Sequence, residues 1–124
     1  MKHLKYSEEY EFDGMSKDLL DTYPAPQPGM EVTLSCSEVT TLCPITHQPD
    51  YHLIDITYQA NEKCLESKSL KMYLNTFRQE GIMTEPLAVK LAQDLIDVLD
   101  PITLTVEITS ASRGGISVNA RVSV

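Results

Sequence analysis

A chain of 124 residues can build one hydrophobic core but not two, so a single domain is expected. With 18 acidic residues against 10 basic, its net charge of −8 disfavours a surface for nucleic-acid phosphates, which needs clustered Lys and Arg. A hydrophobic content of 42% with 23% charged residues is that of an ordinary globular domain, and no apolar run approaches the roughly 20 residues of a membrane span.

Met1-Lys2-His3-Leu4-Lys5-Tyr6 lacks the apolar centre of a signal peptide. The three cysteines have no paired spacing, which argues against a disulfide framework and for a reducing cytoplasm. Residues 1–29 read as an irregular lead-in. It holds a solvated acidic patch (Glu8, Glu9, Glu11, Asp13) and a run from Tyr23 to Gly29 with three prolines that suits neither a helix nor a central strand. The single domain is then expected over residues 30–124.

From Met30 to Glu38 the chain alternates, with Val32, Leu34 and Cys36 on one face and Thr33, Ser35 and Ser37 on the other, the period of a half-buried strand. Cys36 reads as a small core residue. A second strand follows at 50–59, where His52, Ile54, Ile56 and Tyr58 share a face; the two pair most simply as antiparallel neighbours. Between them lies Thr40-Thr41-Leu42-Cys43-Pro44-Ile45-Thr46-His47-Gln48-Pro49-Asp50. Its prolines restrain a thiol and a carboxylate seven residues apart, which suits a nucleophile and a proton donor on a stiff loop. A buried structural cysteine beside a turn aspartate is the other reading of the spacing. His52 has no metal-ligand spacing to His47 or His3, so no metal site is expected.

Glu66 to Tyr73 opens a helix with Ser67 as N-cap, a stripe of Leu70, Tyr73, Leu74 and Phe77, and Gly81 as its close. Lys68 and Lys71 share one face near its start, either solvated or poised to hold phosphate groups. Thr84 is expected to cap a second helix, with Pro86 in its first turn, a stripe of Leu87, Leu91, Leu95 and Val98, and a stop at Asp100-Pro101. Two strands close the chain. Ile102, Leu104, Val106 and Ile108 face inward on one, and Ile116, Val118, Ala120, Val122 and Val124 on the other, with Gly114-Gly115 making a tight turn or bulge between them. This ββααββ order implies an α+β fold, a four-stranded antiparallel sheet with both helices on one face. No G-x-G-x-x-G loop is present, so a nucleotide would not be held by a Rossmann unit.

Three blocks carry a family resemblance over about residues 33–119: Cys43-Pro44-Ile45-Thr46-His47-Gln48-Pro49-Asp50, Glu66-Ser67-Lys68-Ser69-Leu70-Lys71-Met72-Tyr73, and Arg113-Gly114-Gly115-Ile116-Ser117. Together they resemble the NADPH-dependent 7-cyano-7-deazaguanine reductases, the nitrile reductases of queuosine biosynthesis, in their short form. The resemblance implies the tunnelling fold and reduction of a nitrile to an aminomethyl group with two NADPH, for tRNA modification. By the same resemblance Cys43 would add to the nitrile carbon as a thioimide. Asp50 would supply the proton, kept protonated by partial burial. Leu65, Glu66 and Ser67 would line the substrate pocket, with Thr84 and Glu85 at the guanine-like ring. Lys68, Lys71 and Arg113 would receive the cofactor phosphates.

Homo-oligomeric rings with active sites between subunits are implied as well, as an open sheet with uncovered edges itself invites. Three departures stand out: Thr84 where the family usually has His, His47 where it usually has Gly, and an end at Val124 where short-form relatives continue, which would thin cofactor coverage or a subunit contact. Two other functions compete. One is an archaeosine-forming amidinotransferase that adds ammonia to the same nitrile on tRNA; the other is a module that only binds a pterin or deazapurine and leaves Cys43 idle.

Overall fold

The computed structural model describes residues 17–124. The acidic patch expected at Glu8 to Asp13 lies outside the described residues. In chain order the elements are a short 3-10 helix (Lys17–Leu19), β1 (Thr22–Pro24), β2 (Glu31–Leu42), β3 (Pro49–Gln59), β4 (Lys63–Leu65), α1 (Ser67–Asn75), α2 (Thr84–Leu99), β5 (Thr103–Ser110) and β6 (Asn119–Ser123). The main sheet runs β2-β3-β5-β6, every neighbour antiparallel.

Alternation decides which face is buried. Ile54, Ile56, Tyr58, Leu104, Val106 and Ile108 point to one side and are at most 1% exposed. Leu87, Leu91, Leu95 and Leu99 of α2 meet them, also at most 1% exposed, each contributing about 1.5–3 kcal/mol by burial. Leu70, Tyr73, Leu74 and Phe77 bring the α1 segment into the same cluster, so both helices cover one face as expected. The opposite face is polar, tied across strands by Thr33–Thr57, Ser35–Asp55, Thr105–Ser123 and Asn119–Glu107 hydrogen bonds.

Several local expectations change. β2 runs on to Leu42 through an irregularity between Cys36 and Val39, which shifts the alternation so that Val39 and Thr41 turn inward. The long loop thereby shrinks to residues 43–48. Within 17–29 the expected irregular lead-in holds β1, which pairs with β4 as a separate two-stranded sheet, while Leu20 enters the core. Pro24 is accommodated there because the pairing is short and marginal to the main sheet. The caps also move by one residue. Glu66, not Ser67, caps α1, its carboxylate accepting from Lys68 N (2.6 Å) and Ser69 N (2.9 Å). Met83 takes the N-cap position of α2 without a side-chain bond, and Thr84 is the first helical residue. Helix α1 ends at Asn75, with Thr76 as its C-cap, rather than at Gly81. Ile102 and Ile116, expected inward, are 50% and 70% exposed because each falls outside a ladder.

Candidate active site

Three segments meet where β2 ends. The chain between the helices lies alongside it: Leu42 N donates to Glu80 O (2.9 Å), and Ile82 N donates to Leu42 O (3.1 Å). This brings the first turn of α2 beside Cys43. A Cβ on Gly81 would stand 3.4 Å from Pro44 Cα, so the approach there is close. The third segment is a hairpin in which Arg113 and Ile116 exchange backbone hydrogen bonds around Gly114 (φ +59°) and Gly115 (φ +81°). Two consecutive positive φ angles are those of a type I′ turn, open to glycine at both positions.

Cys43, Asp50, Thr84, Glu85 and Arg113 thereby line one cleft of roughly 390 Å³, with Met83, Ser110 and Ile116 among its other walls. Cys43 is 8% exposed and stands apart from the hydrophobic core cluster. Its backbone closes the 43–48 loop: Cys43 N donates to Gln48 O (2.8 Å) and its carbonyl accepts from His47 N (2.9 Å). His47 holds φ +60° to make that closure. The thiol pKa is lowered to about 7, first by the Thr46 hydroxyl, then by the backbone N–H groups of Thr46 and Ile45 and by the Arg113 guanidinium. A thiol so placed is partly thiolate at neutral pH and nucleophilic.

Arg113 was expected among the phosphate-binding residues. Its Nη1 donates to Asp50 Oδ1, and its Nη2 to Thr46 Oγ1 (3.2 Å). Asp50, with a side chain 16% exposed, therefore faces a guanidinium. The partial burial expected of Asp50 is present. The sequence reading missed Thr46, although a hydroxyl three residues after a cysteine in a closed turn is a usable signal. It also missed a buried pair between β2 and β3. His52 Nε2 lies 2.8 Å from Thr41 Oγ1, His52 Nδ1 has no partner, and burial lowers the imidazole pKa against a smaller opposing effect of Asp50.

The remaining candidates stand elsewhere. Ser67 and Lys71 line a groove between α1 and β2 with Leu34, Cys36, Glu38 and Asn75, and this groove shares no lining residue with the Cys43 cleft. Glu66 is engaged in capping, Leu65 is buried (3% exposed), and Lys68 is exposed beside the groove. Neither Lys68 nor Lys71 forms an ion pair among the described residues.

Comparison with known proteins settles the family. The QueF-like protein family matches residues 49–124. A protein of Frankia casuarinae named NADPH-dependent 7-cyano-7-deazaguanine reductase is 46% identical over 101 residues, covering 82% of this chain and 81% of that one. The chain belongs to the NADPH-dependent 7-cyano-7-deazaguanine reductase family. A reductase of the same name from Helicobacter pylori strain G27 is 42% identical over 120 residues, 95% of this chain and 80% of that one. Among solved structures, the apo archaeosine synthase QueF-Like superposes with a TM-score of 0.69 over 80% of this chain and 95% of its own. At 19% identity that likeness concerns the fold alone, the tunnelling fold expected for the reductase family.

Proposed function

We propose that this chain reduces the nitrile of 7-cyano-7-deazaguanine to the aminomethyl group in queuosine biosynthesis, with Cys43 as the covalent nucleophile. The observation that carries this reading is a thiol lowered to about 7 in the same cleft as Asp50 and Glu85. Addition of Cys43 Sγ to the nitrile carbon forms the C–S bond of a thioimide and leaves an electron pair on nitrogen. Asp50, paired with Arg113, takes the thiol proton and passes it to that nitrogen. Glu85, in the first turn of α2, accepts from the adjacent N–H donors of the guanine-like edge, with Thr84 beside it.

NADPH supplies two hydrides per nitrile, which take the carbon from thioimide to amine. Lys68 and Lys71 fit its phosphates, being exposed cations without ion-pair partners among the described residues of an acidic chain. Leu65, Glu66 and Ser67 lie apart from the cleft, and a second copy of the chain supplies them to it. What supports this is that β2 and β6 are the two edges of the sheet, with the Ser67–Lys71 groove beside β2 and the Cys43 cleft beside the start of β6. A ring of copies joined edge to edge places one half-site against the other. No described helix is long and apolar enough to cross a membrane, and Cys36, Cys43 and Cys64 are all free, in keeping with a reducing cytoplasm.

The test is intact-mass measurement after adding the nitrile base, followed by NADPH absorbance. The wild-type chain gains the mass of the nitrile and then consumes two NADPH per base. Cys43→Ala does neither, and Asp50→Asn keeps substrate binding while losing most turnover, about 10²-fold or more. Unchanged NADPH consumption by Cys43→Ala overturns the reading.

A further inference from the structure

We propose that Gly81 is a positioning and specificity-determining residue: its seat against Pro44 sets the span between the Cys43 sulfur and the Glu85 carboxylate, and with it the length of nitrile that the cleft accepts. The inference rests on Cys43 attacking a nitrile and on Glu85 holding the ring edge, and goes beyond both by naming what spaces them.

The ordinary reasons for a glycine do not hold at position 81. Helix α1 has already ended at Asn75, and the glycines at positive φ are Gly29, Gly114 and Gly115. What singles Gly81 out is space. A Cβ there would stand 3.4 Å from Pro44 Cα and 3.5 Å from Pro44 Cβ. One carbon therefore fits at ordinary contact, whereas a branched side chain has to push the two segments apart.

The path from one functional group to the other runs through this point. Leu42 holds it from the side of β2, donating its N–H to Glu80 O (2.9 Å) and accepting from Ile82 N (3.1 Å), a parallel bridge opposite Gly81. Cys43 follows Leu42 directly, and Thr84 and Glu85 open α2 just beyond Ile82. Met83, at the N-cap, makes no side-chain bond, so the first turn of α2 has no tether of that kind. Ile82 and Leu87 are buried in the core and set how deep the turn lies. The approach of Gly81 to Pro44 sets how near it comes to the thiol loop.

The substrate makes that span matter. The cyano carbon and the N–H edge of 7-cyano-7-deazaguanine belong to one rigid planar frame, with no torsion that changes the distance between them. A cleft that binds the edge and attacks the carbon has to match this distance, and a misfit of about 1 Å costs on the order of 10²-fold in rate. A span widened at Gly81 suits a nitrile set one carbon further from the ring.

The experiment follows covalent adduct formation by intact mass, without NADPH, in the wild type, Gly81→Ala, Gly81→Ser and Gly81→Val. The probes are 7-cyano-7-deazaguanine and its 7-cyanomethyl homologue. Each end of the span is also read alone: Cys43 by iodoacetamide alkylation, resolved by mass from Cys36 and Cys64, and Glu85 by calorimetric binding of 7-deazaguanine, which has no nitrile. In Gly81→Val both single-ended readouts stay at the wild-type values, while the adduct with the cyano base forms about 10²-fold more slowly. The preference for cyano over cyanomethyl falls by about 10-fold or more, the worth of one methylene. Gly81→Ala loses least. Gly81→Ser, with one γ atom, falls between them and carries the comparison if circular dichroism shows Gly81→Val unfolded. An unchanged preference in the folded variants overturns the role. So does equal loss in Gly81→Ala and Gly81→Val, the mark of a hinge, or loss of both single-ended readouts in a folded variant. A wild type that forms no adduct, or 7-deazaguanine binding indifferent to Glu85→Gln, removes the reading on which the role stands; every other failure is the role's own.

Discussion

His47 shows how one side chain records a constraint imposed by the loop around it. Its backbone occupies φ +60°, where a Cβ crowds the carbonyl and costs an L-residue about 1–2 kcal/mol. The position is forced because His47 N must reach the Cys43 carbonyl to close the turn carrying that cysteine. Glycine there removes the crowding but gives the unfolded chain more freedom, an offset of about 0.4–1 kcal/mol. The balance favours His47→Gly by about 0.5–1 kcal/mol, a rise of roughly 2–5 °C in Tm for a domain of this size. Calorimetry checks it, and a lowered Tm would show that the imidazole makes a compensating contact. The position was legible as a departure from the family. The left-handed backbone there was not, because φ does not show in the residue type.

At the scale of elements, periodicity was a reliable guide wherever one face is buried. The stripes Ile54–Ile56–Tyr58, Leu104–Val106–Ile108 and Leu87–Leu91–Leu95 all point inward, as a period of 2 or 3.6 requires. It failed where a local bond competes with the pattern. Glu66 displaced Ser67 as cap because its carboxylate reaches two N–H groups at once. The irregularity after Cys36 hid Thr41 from a strict alternation, and with it the Thr41–His52 bond between β2 and β3. The Arg113–Thr46 contact joins residues 67 apart, a distance no spacing argument spans.

The Thr41–His52 bond has a pH consequence. The folded state holds the His52 imidazole pKa below its ordinary value, chiefly by burial. Below about pH 6.5 the unfolded chain takes up a proton that the folded chain refuses, so stability is full above that pH and falls beneath it, by up to about 1.4 kcal/mol per pH unit. The window closes at the folded pKa. Urea unfolding at pH 7 and pH 5.5 should show this loss in the wild type and a flatter response in His52→Gln. Equal losses in both would assign the acid limb to other groups.

For the whole molecule, the question is where one active site is completed. Cys43, Asp50 and Glu85 share a cleft, while Ser67 and Lys71 line a groove with no residue in common with it. The main sheet ends in two edges, β2 and β6, and its uncovered face exposes Tyr51 (60%) and Leu53 (44%) amid cross-strand polar pairs. If copies join β2 to β6, each site draws its nucleophile from one copy and its Ser67 groove from the next. Mixing two dead variants then tests the arrangement. Cys43→Ala lacks the thiol of the proposed nucleophile, and Ser67→Trp fills the groove at an exposed position where folding tolerates bulk. Alone, each is inactive. Unfolded together in equal amounts and refolded, they assemble at random, and about a quarter of the interfaces pair an intact Cys43 with an intact Ser67. Activity should return to about a quarter of the wild-type value, because a site needs one intact half from each side. Were both halves contributed by a single copy, no mixture would recover any, however well the subunits exchanged.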